Sequence, residues 1–223
     1  MPQTGLNYED FCTRARLALK LEADRLSADS FRQLRTLDCA WHPKGFAVFH
    51  IDDNHPLGKL RLHIWPDSDR VTRSDDAPIH THVWHLCSRI LTGTYSETLY
   101  EKSGVDVHDA RAYYSADIDY LIDKDSFTAS RKAFLKPVAT TRNTHGEFHE
   151  VEANVPHETL IAEKSFVATL LLTSLPVSDQ ATMYSPTPIP ASTYDRPALT
   201  DDEKTIMLQR LDQELKIRSG STK

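Results

Sequence analysis

The chain has 223 residues, 39% of them hydrophobic, enough for one well-packed core with sizeable extensions. A net charge of −6 leaves no basic footprint and argues against nucleic acid as the main partner. Cys12, Cys39 and Cys87 stand far apart with no C-x-x-C pair, which argues against a zinc ribbon or disulfide framework and suits a reducing cytosol.

No apolar run approaches the roughly 20 residues that span a bilayer. The start of the chain, with Asn7, Glu9 and Asp10, lacks the apolar stretch of a signal peptide. A cytoplasmic protein with no membrane partner is expected.

In chain order, residues 7–37 read as helix. Tyr8, Phe11, Cys12, Ala15 and Leu19 recur at three- and four-residue spacing, Asn7 can cap the start, and a second helix begins near Ser27 or Ser30. From residue 46 the pattern turns to strands. Residues 46–51 are a short apolar run, and 52–56 form a turn cluster. Leu60, Leu62 and Ile64 then alternate with Arg61, His63 and Trp65. Further strands are expected at 78–87, 94–101, 133–141, 147–153, 157–162 and 166–174. Residues 102–132, polar and acidic with Tyr113, Tyr114 and Tyr120, read as a partly helical surface insertion. Beyond Pro176 the chain is proline-rich and extended. Thr200 and Glu203 form a capping box before a closing helix striped by Met207, Leu208, Leu211 and Leu215. Seven or eight strands with few helices between them predict a mainly β fold, an antiparallel sandwich or jelly roll. Three parts are expected: a helical segment over 1–45, a β-barrel domain over 46–175, and an extended segment with its helix over 176–223.

The chemistry lies in His80-Thr81-His82, behind Pro78 and ahead of Gly93. On an extended strand, side chains two apart point the same way, so an H-x-H pair aims two imidazoles at one point. His157 follows the Asn154–Pro156 turn at the mouth of a strand and is the candidate third ligand; His149 competes with it. Three neutral imidazoles with open coordination positions suit Fe(II), Mn(II), Ni(II) or Zn(II). His85 has the wrong parity to join the pair and reads as a core or surface histidine. Arg61, His63 and Trp65 share a strand face, either a solvent-facing strip or the wall of a barrel mouth where Arg61 meets a carboxylate. Cys87 reads as a small buried hydrophobe, Trp84 as a packing group, and Asp67, Asp69, Asp75 and Asp76 as a solvated acidic loop.

The segment resembles the first motif of the cupin superfamily, in which H-x-H is followed at set spacing by a glutamate and a glycine. Gly93 holds the glycine position and Leu86 the glutamate position; Asn154-Val155-Pro156-His157 is a reduced form of the second motif. The resemblance covers roughly 46–175. Within cupins the chain looks most like the three-histidine thiol dioxygenases, such as cysteine dioxygenase, through Gly58–Arg61, Pro78–His82, Leu91–Gly93 and Glu97–Leu99. This resemblance implies a jelly-roll barrel, Fe(II), O2 and a small thiol substrate. His80, His82 and His157 would be metal ligands, with Arg61, His63 and Trp65 at the substrate. A homodimer, common in that superfamily, is compatible with the pattern. The chain departs from these enzymes at three places. Their carboxylate-binding arginine falls near His50; their Ser-His-Tyr set falls on Thr169, Leu171 and Thr173; and without that tyrosine Cys87 has no cross-linking partner. An oxygenase acting on a small anionic molecule is expected. A cupin lyase or isomerase, or a non-enzymatic binding protein, are the alternatives.

Overall fold

The computed structural model describes residues 6–26, 28–68, 70, 78–104, 109–121 and 124–220. Asp69, Asp75 and Asp76 of the expected acidic loop lie outside them, as does Ser27.

Two helices open the chain. In α1 (Tyr8–Arg25) the Asn7 side chain accepts a hydrogen bond from the Asp10 amide at 2.9 Å, and Glu9 and Asp10 put negative charge on the first turn. Phe11, Cys12, Ala15 and Leu19 are its buried stripe. A short α2 (Ala28–Leu34) follows.

The next strands, β1 (Cys39–His42), β2 (Phe46–His55) and β3 (Gly58–Trp65), form an antiparallel meander. Residues 52–55, expected as a turn, instead continue β2 through two register irregularities. The turn comes later because Gly58 can take it: φ is +140°, and a Cβ there would sit 1.9 Å from the Thr173 carbonyl oxygen.

Eleven strands and a helix complete the chain: β4 (Ile79–His80), β5 (Leu86–Thr92), β6 (Thr94–Ser103), β7 (Arg111–Leu121), β8 (Lys124–Phe127), β9 (Arg131–Thr144), β10 (Phe148–Val151), β11 (His157–Leu160), β12 (Val167–Thr173), β13 (Ala181–Ser185), β14 (Ser192–Asp195) and α3 (Asp201–Gly220). The strand count therefore exceeds the seven or eight expected.

Two antiparallel sheets result. One has the order β1-β2-β3-β12-β5-β10. The other runs β13-β4-β11-β6-β9-β7-β8-β14, and β13 pairs with β7 as well as β4. Strands β13, β4, β11, β6, β9 and β7 thus close into a six-stranded barrel, mainly β architecture with helices at both ends. Ile79, Leu135 and Tyr184 pack together with Tyr100 and Tyr113 on one face of its strands.

Two further expectations are corrected. The 78–87 strand breaks after His80, because other partners take the backbone of 81–85. The Thr81 amide donates to the Thr182 carbonyl, the His82 carbonyl accepts from Asn154, and the Val83 carbonyl accepts from Val177. Within 102–132 the described residues form strands, not helix: β7 pairs with β8, β9 and β13 and is integral to the barrel.

The six-stranded sheet has two unlike faces. Leu60, Leu62, Ile64, Leu170 and Leu172 form the main core with Phe11 and Leu19 of α1 and Leu208 and Leu211 of α3. Strand alternation places Arg61, His63 and Trp65 on the opposite face. Gly93 joins β5 to β6 with φ +83°; a Cβ there would lie 2.4 Å from the Phe166 carbonyl oxygen, which accounts for a glycine at this position. No helix among the described residues is long and apolar enough to cross a membrane.

Candidate metal centre

His80 ends β4 and His157 begins β11, and the two are cross-strand partners. Side chains of directly paired residues lie on the same sheet face. His82 comes from the irregular segment after β4, where the H-x-H pair is held by loop hydrogen bonds rather than strand pleat. The three rings nevertheless converge. Their centroids are 4.8 Å apart for His80–His82, 4.4 Å for His80–His157 and 4.9 Å for His82–His157. One ligating nitrogen from each lies within 4.8 Å of the others.

A carbonyl oxygen can only accept, so the contact of His157 Nδ1 with the Val155 carbonyl at 3.0 Å puts the proton on Nδ1 and the lone pair on Nε2. The Asn154–Pro156 turn supplies that carbonyl. Asn154 itself has φ +65°, a left-handed conformation that asparagine tolerates.

Burial is the first cause holding all three imidazoles below their ordinary pKa. At His80 the other causes include His157 and Lys44; at His82 they include His157, His63 and Arg61. At His157 the Glu97 carboxylate and the Val155 carbonyl pull upward, but burial prevails. The neutral imidazole is the form that binds metal. His80 Nδ1 and His82 Nδ1 are buried without a hydrogen bond among the described residues. Orphaned ring nitrogens are costly unless something takes them up, and a cation fits this donor set.

Of the other expected site residues, Arg61, His63 and Trp65 are half-buried, not a solvent-facing strip. His63 shares an aromatic run with His42, Phe46 and Trp65: His42 stacks on Phe46 at 4.2 Å, and Phe46 lies 4.8 Å from His63 and 4.5 Å from Trp65. Burial followed by Arg61 pushes His63 well down. Trp84 stacks on His82 at 5.6 Å. Of the two places read for His85, core or surface, it takes the core: its Nδ1 accepts from the Ala153 amide at 3.1 Å, with its ring 5.3 Å from Tyr8. Cys87 is fully buried, and burial raises its thiol. Asp67 is exposed and 3.5 Å from Arg210.

His149 lies outside the triad. Its Nε2 is 3.6 Å from Oε1 of Glu97, a residue that the sequence alone does not place at the site. Glu97, on β6, is 1% exposed and accepts a 2.6 Å hydrogen bond from Thr159. Burial opposes its ionisation, and His149, His157 and Thr159 together outweigh burial, holding the carboxyl below its ordinary range. A glutamate in an alternating strand carries no local mark of this burial; its partners come from β10 and β11, far along the chain.

The chain matches no protein-family model and no curated protein sequence.

Proposed function

We propose that the chain is a cupin-type jelly-roll protein whose His80, His82 and His157 hold one divalent transition metal, Fe(II) in the first place, and that it is an oxygenase acting on a small anionic molecule. The observation that carries this reading is the convergence of three imidazoles, one ligating nitrogen from each within 4.8 Å of the others. Bound Fe(II) would supply open positions at which substrate and O2 can meet.

The residues of the chain account for the rest of the reading. Three neutral imidazoles add no negative charge, so the loaded centre keeps its full positive charge and favours an anionic ligand. Lys44 and Arg61 are among the groups that depress the triad histidines, and they add to that attraction. Arg61 offers a planar fork for a carboxylate, and His63 and Trp65 line the same strand face. A small thiol is the substrate proposed from the likeness to the thiol dioxygenases. Thr169 and Leu171, at the positions of their Ser-His-Tyr set, pair with His63 and Arg61 and so lie on that face. The surroundings of such a substrate would accordingly differ from those in that family.

The test is oxygen uptake by iron-loaded protein with and without small thiols, run beside His80→Ala. Thiol-dependent uptake that His80→Ala abolishes supports the proposal. Stoichiometric iron binding without uptake would leave the metal acting as a Lewis acid for a lyase or isomerase and would overturn the oxygenase reading. Failure to bind iron, manganese, nickel or zinc would overturn the metal reading itself.

A further inference from the structure

Across the gap between the two sheets lies one contact that the triad alone does not explain. Glu97 comes from β6 of the barrel and His149 from β10 of the other sheet. Residues paired across strands share a face, so the Thr159–Glu97 pair puts Glu97 on the same side of the barrel as His157 and, through the His157–His80 pair, as His80. The His149–Ser88 and Ser88–Leu171 pairs put His149 on the same side of its sheet as Arg61. The two inner faces therefore meet at Glu97 and His149.

The carboxylate is held at one oxygen only. Oε2 is bonded to Thr159, whereas Oε1 is buried without a hydrogen bond among the described residues. Oε1 lies 3.6 Å from His149 Nε2 and 4.0 Å from His157 Nε2, both too long for a good hydrogen bond. His157 Nε2 is also the nitrogen left free to bind a metal, since Nδ1 is bonded to Val155. The unsatisfied oxygen thus sits on the metal-facing side of the imidazole, where the usual outer partner of a ligating histidine would not be. With a metal–nitrogen bond of about 2.1 Å, Oε1 would be no more than about 6 Å from the cation, inside the ~8 Å over which charges act even in physiological salt.

We propose that Glu97 is the counter-charge of the three-histidine centre. This rests on the reading of the triad as a metal site. A divalent cation held by neutral imidazoles in the interior needs a compensating anion. Here Lys44 and Arg61 raise the demand and Glu97 meets part of it, without being one of the three ligands. His149, 3.4 Å from Ser88 through its other nitrogen, stands beside the carboxylate on the side of the other sheet.

The experiment is titration of metal-free protein with Zn(II) alone, read as affinity, together with the melting temperature of each metal-free variant. Glu97→Gln keeps the shape and removes the charge; its Zn(II) affinity should fall about 10–100-fold with the metal-free melting temperature unchanged or raised. Lys44→Met, at a half-exposed position, should shift affinity the other way by several-fold and covers the case in which Glu97→Gln does not fold. Glu97→Asp, which restores the charge, should recover most of the affinity. Wild-type affinity in Glu97→Gln, or a lower melting temperature without loss of affinity, overturns the counter-charge role and leaves the triad standing. If Lys44→Met binds no more tightly than wild type, charge balance does not govern the site. No Zn(II) binding by wild type removes both proposals at once.

Discussion

Along β3, Leu60, Leu62 and Ile64 are sealed under the helices, at 3%, 0% and 0% exposure, while Arg61, His63 and Trp65 between them face the other sheet half-buried. The two faces share a backbone and every ladder hydrogen bond, yet their contents could hardly differ more. The helix-covered face joins α1, α2, α3 and strands β1, β2, β3, β5 and β12 in one apolar cluster and accounts for most of the burial that stabilises the fold. The inner face instead collects imidazoles, a carboxylate and cationic groups, which are costly to remove from water. Proteins retain such groups in an interior when a site requires them. One face of the sheet therefore carries stability and the other carries the chemistry.

Acid should break this division most strongly, because it acts on several inner-face groups together. His42, His63, His80, His82 and His157 are all held below their ordinary value of 6.5, with burial the first cause in each. Once pH falls through that value, the unfolded chain takes up protons that the fold refuses. Stability is thus full above about pH 6.5 and is lost progressively as pH drops toward the depressed folded values. Urea unfolding of chelator-treated protein between about pH 8 and about pH 5 should show a midpoint that is flat at first and then falls. A midpoint that stays level would mean that these imidazoles are not buried as neutral rings.

The apolar face can be probed alone by Leu62→Ala. Leu62 is fully buried beneath the helices, and truncation at such a site costs about 2–5 kcal/mol. Denaturant unfolding should register that loss while Zn(II) affinity stays at the wild-type level. A parallel fall in affinity would show that the two faces are coupled through the strand.

Legibility in the sequence follows the same division. Alternation along 60–65 showed two faces but not which one lay inside, because both the helices and the second sheet come from distant segments. His80, His82 and Gly93 were legible because their spacing is local, and His157 because a proline turn precedes it. β5 was hidden: six of its seven residues are buried, on both faces, so it shows no period of two. β7 was missed for the opposite reason. Its polar and acidic residues read as a surface insertion, whereas pairing with three strands is a long-range property that composition does not record. Glu97 was not legible, since a glutamate in a strand is exposed far more often than buried.

The smallest effect is expected at the start of α3, on the helix-covered side. Thr200 and Glu203 form the box read from the sequence: the Glu203 amide donates to Thr200 Oγ1 at 3.2 Å, and the Thr200 amide donates to Glu203 Oε2 at 2.7 Å. Burial opposes ionisation of Glu203, and the Thr200 bonds outweigh it, keeping the carboxyl ionised and able to accept. The Leu199 amide, bonded to the Cys39 carbonyl at 2.9 Å, ties the helix start to β1. Thr200→Ala removes one cap from an exposed position and should cost about 1 kcal/mol. The loss should appear in denaturant unfolding with no change in metal affinity, since Met207, Leu208 and Leu211 of α3 pack in the cluster on the face opposite the triad. A loss several times larger would mean that the start of α3 holds the β1 edge in place, and then His42 and Phe46, through which β1 and β2 reach His63, should shift as well.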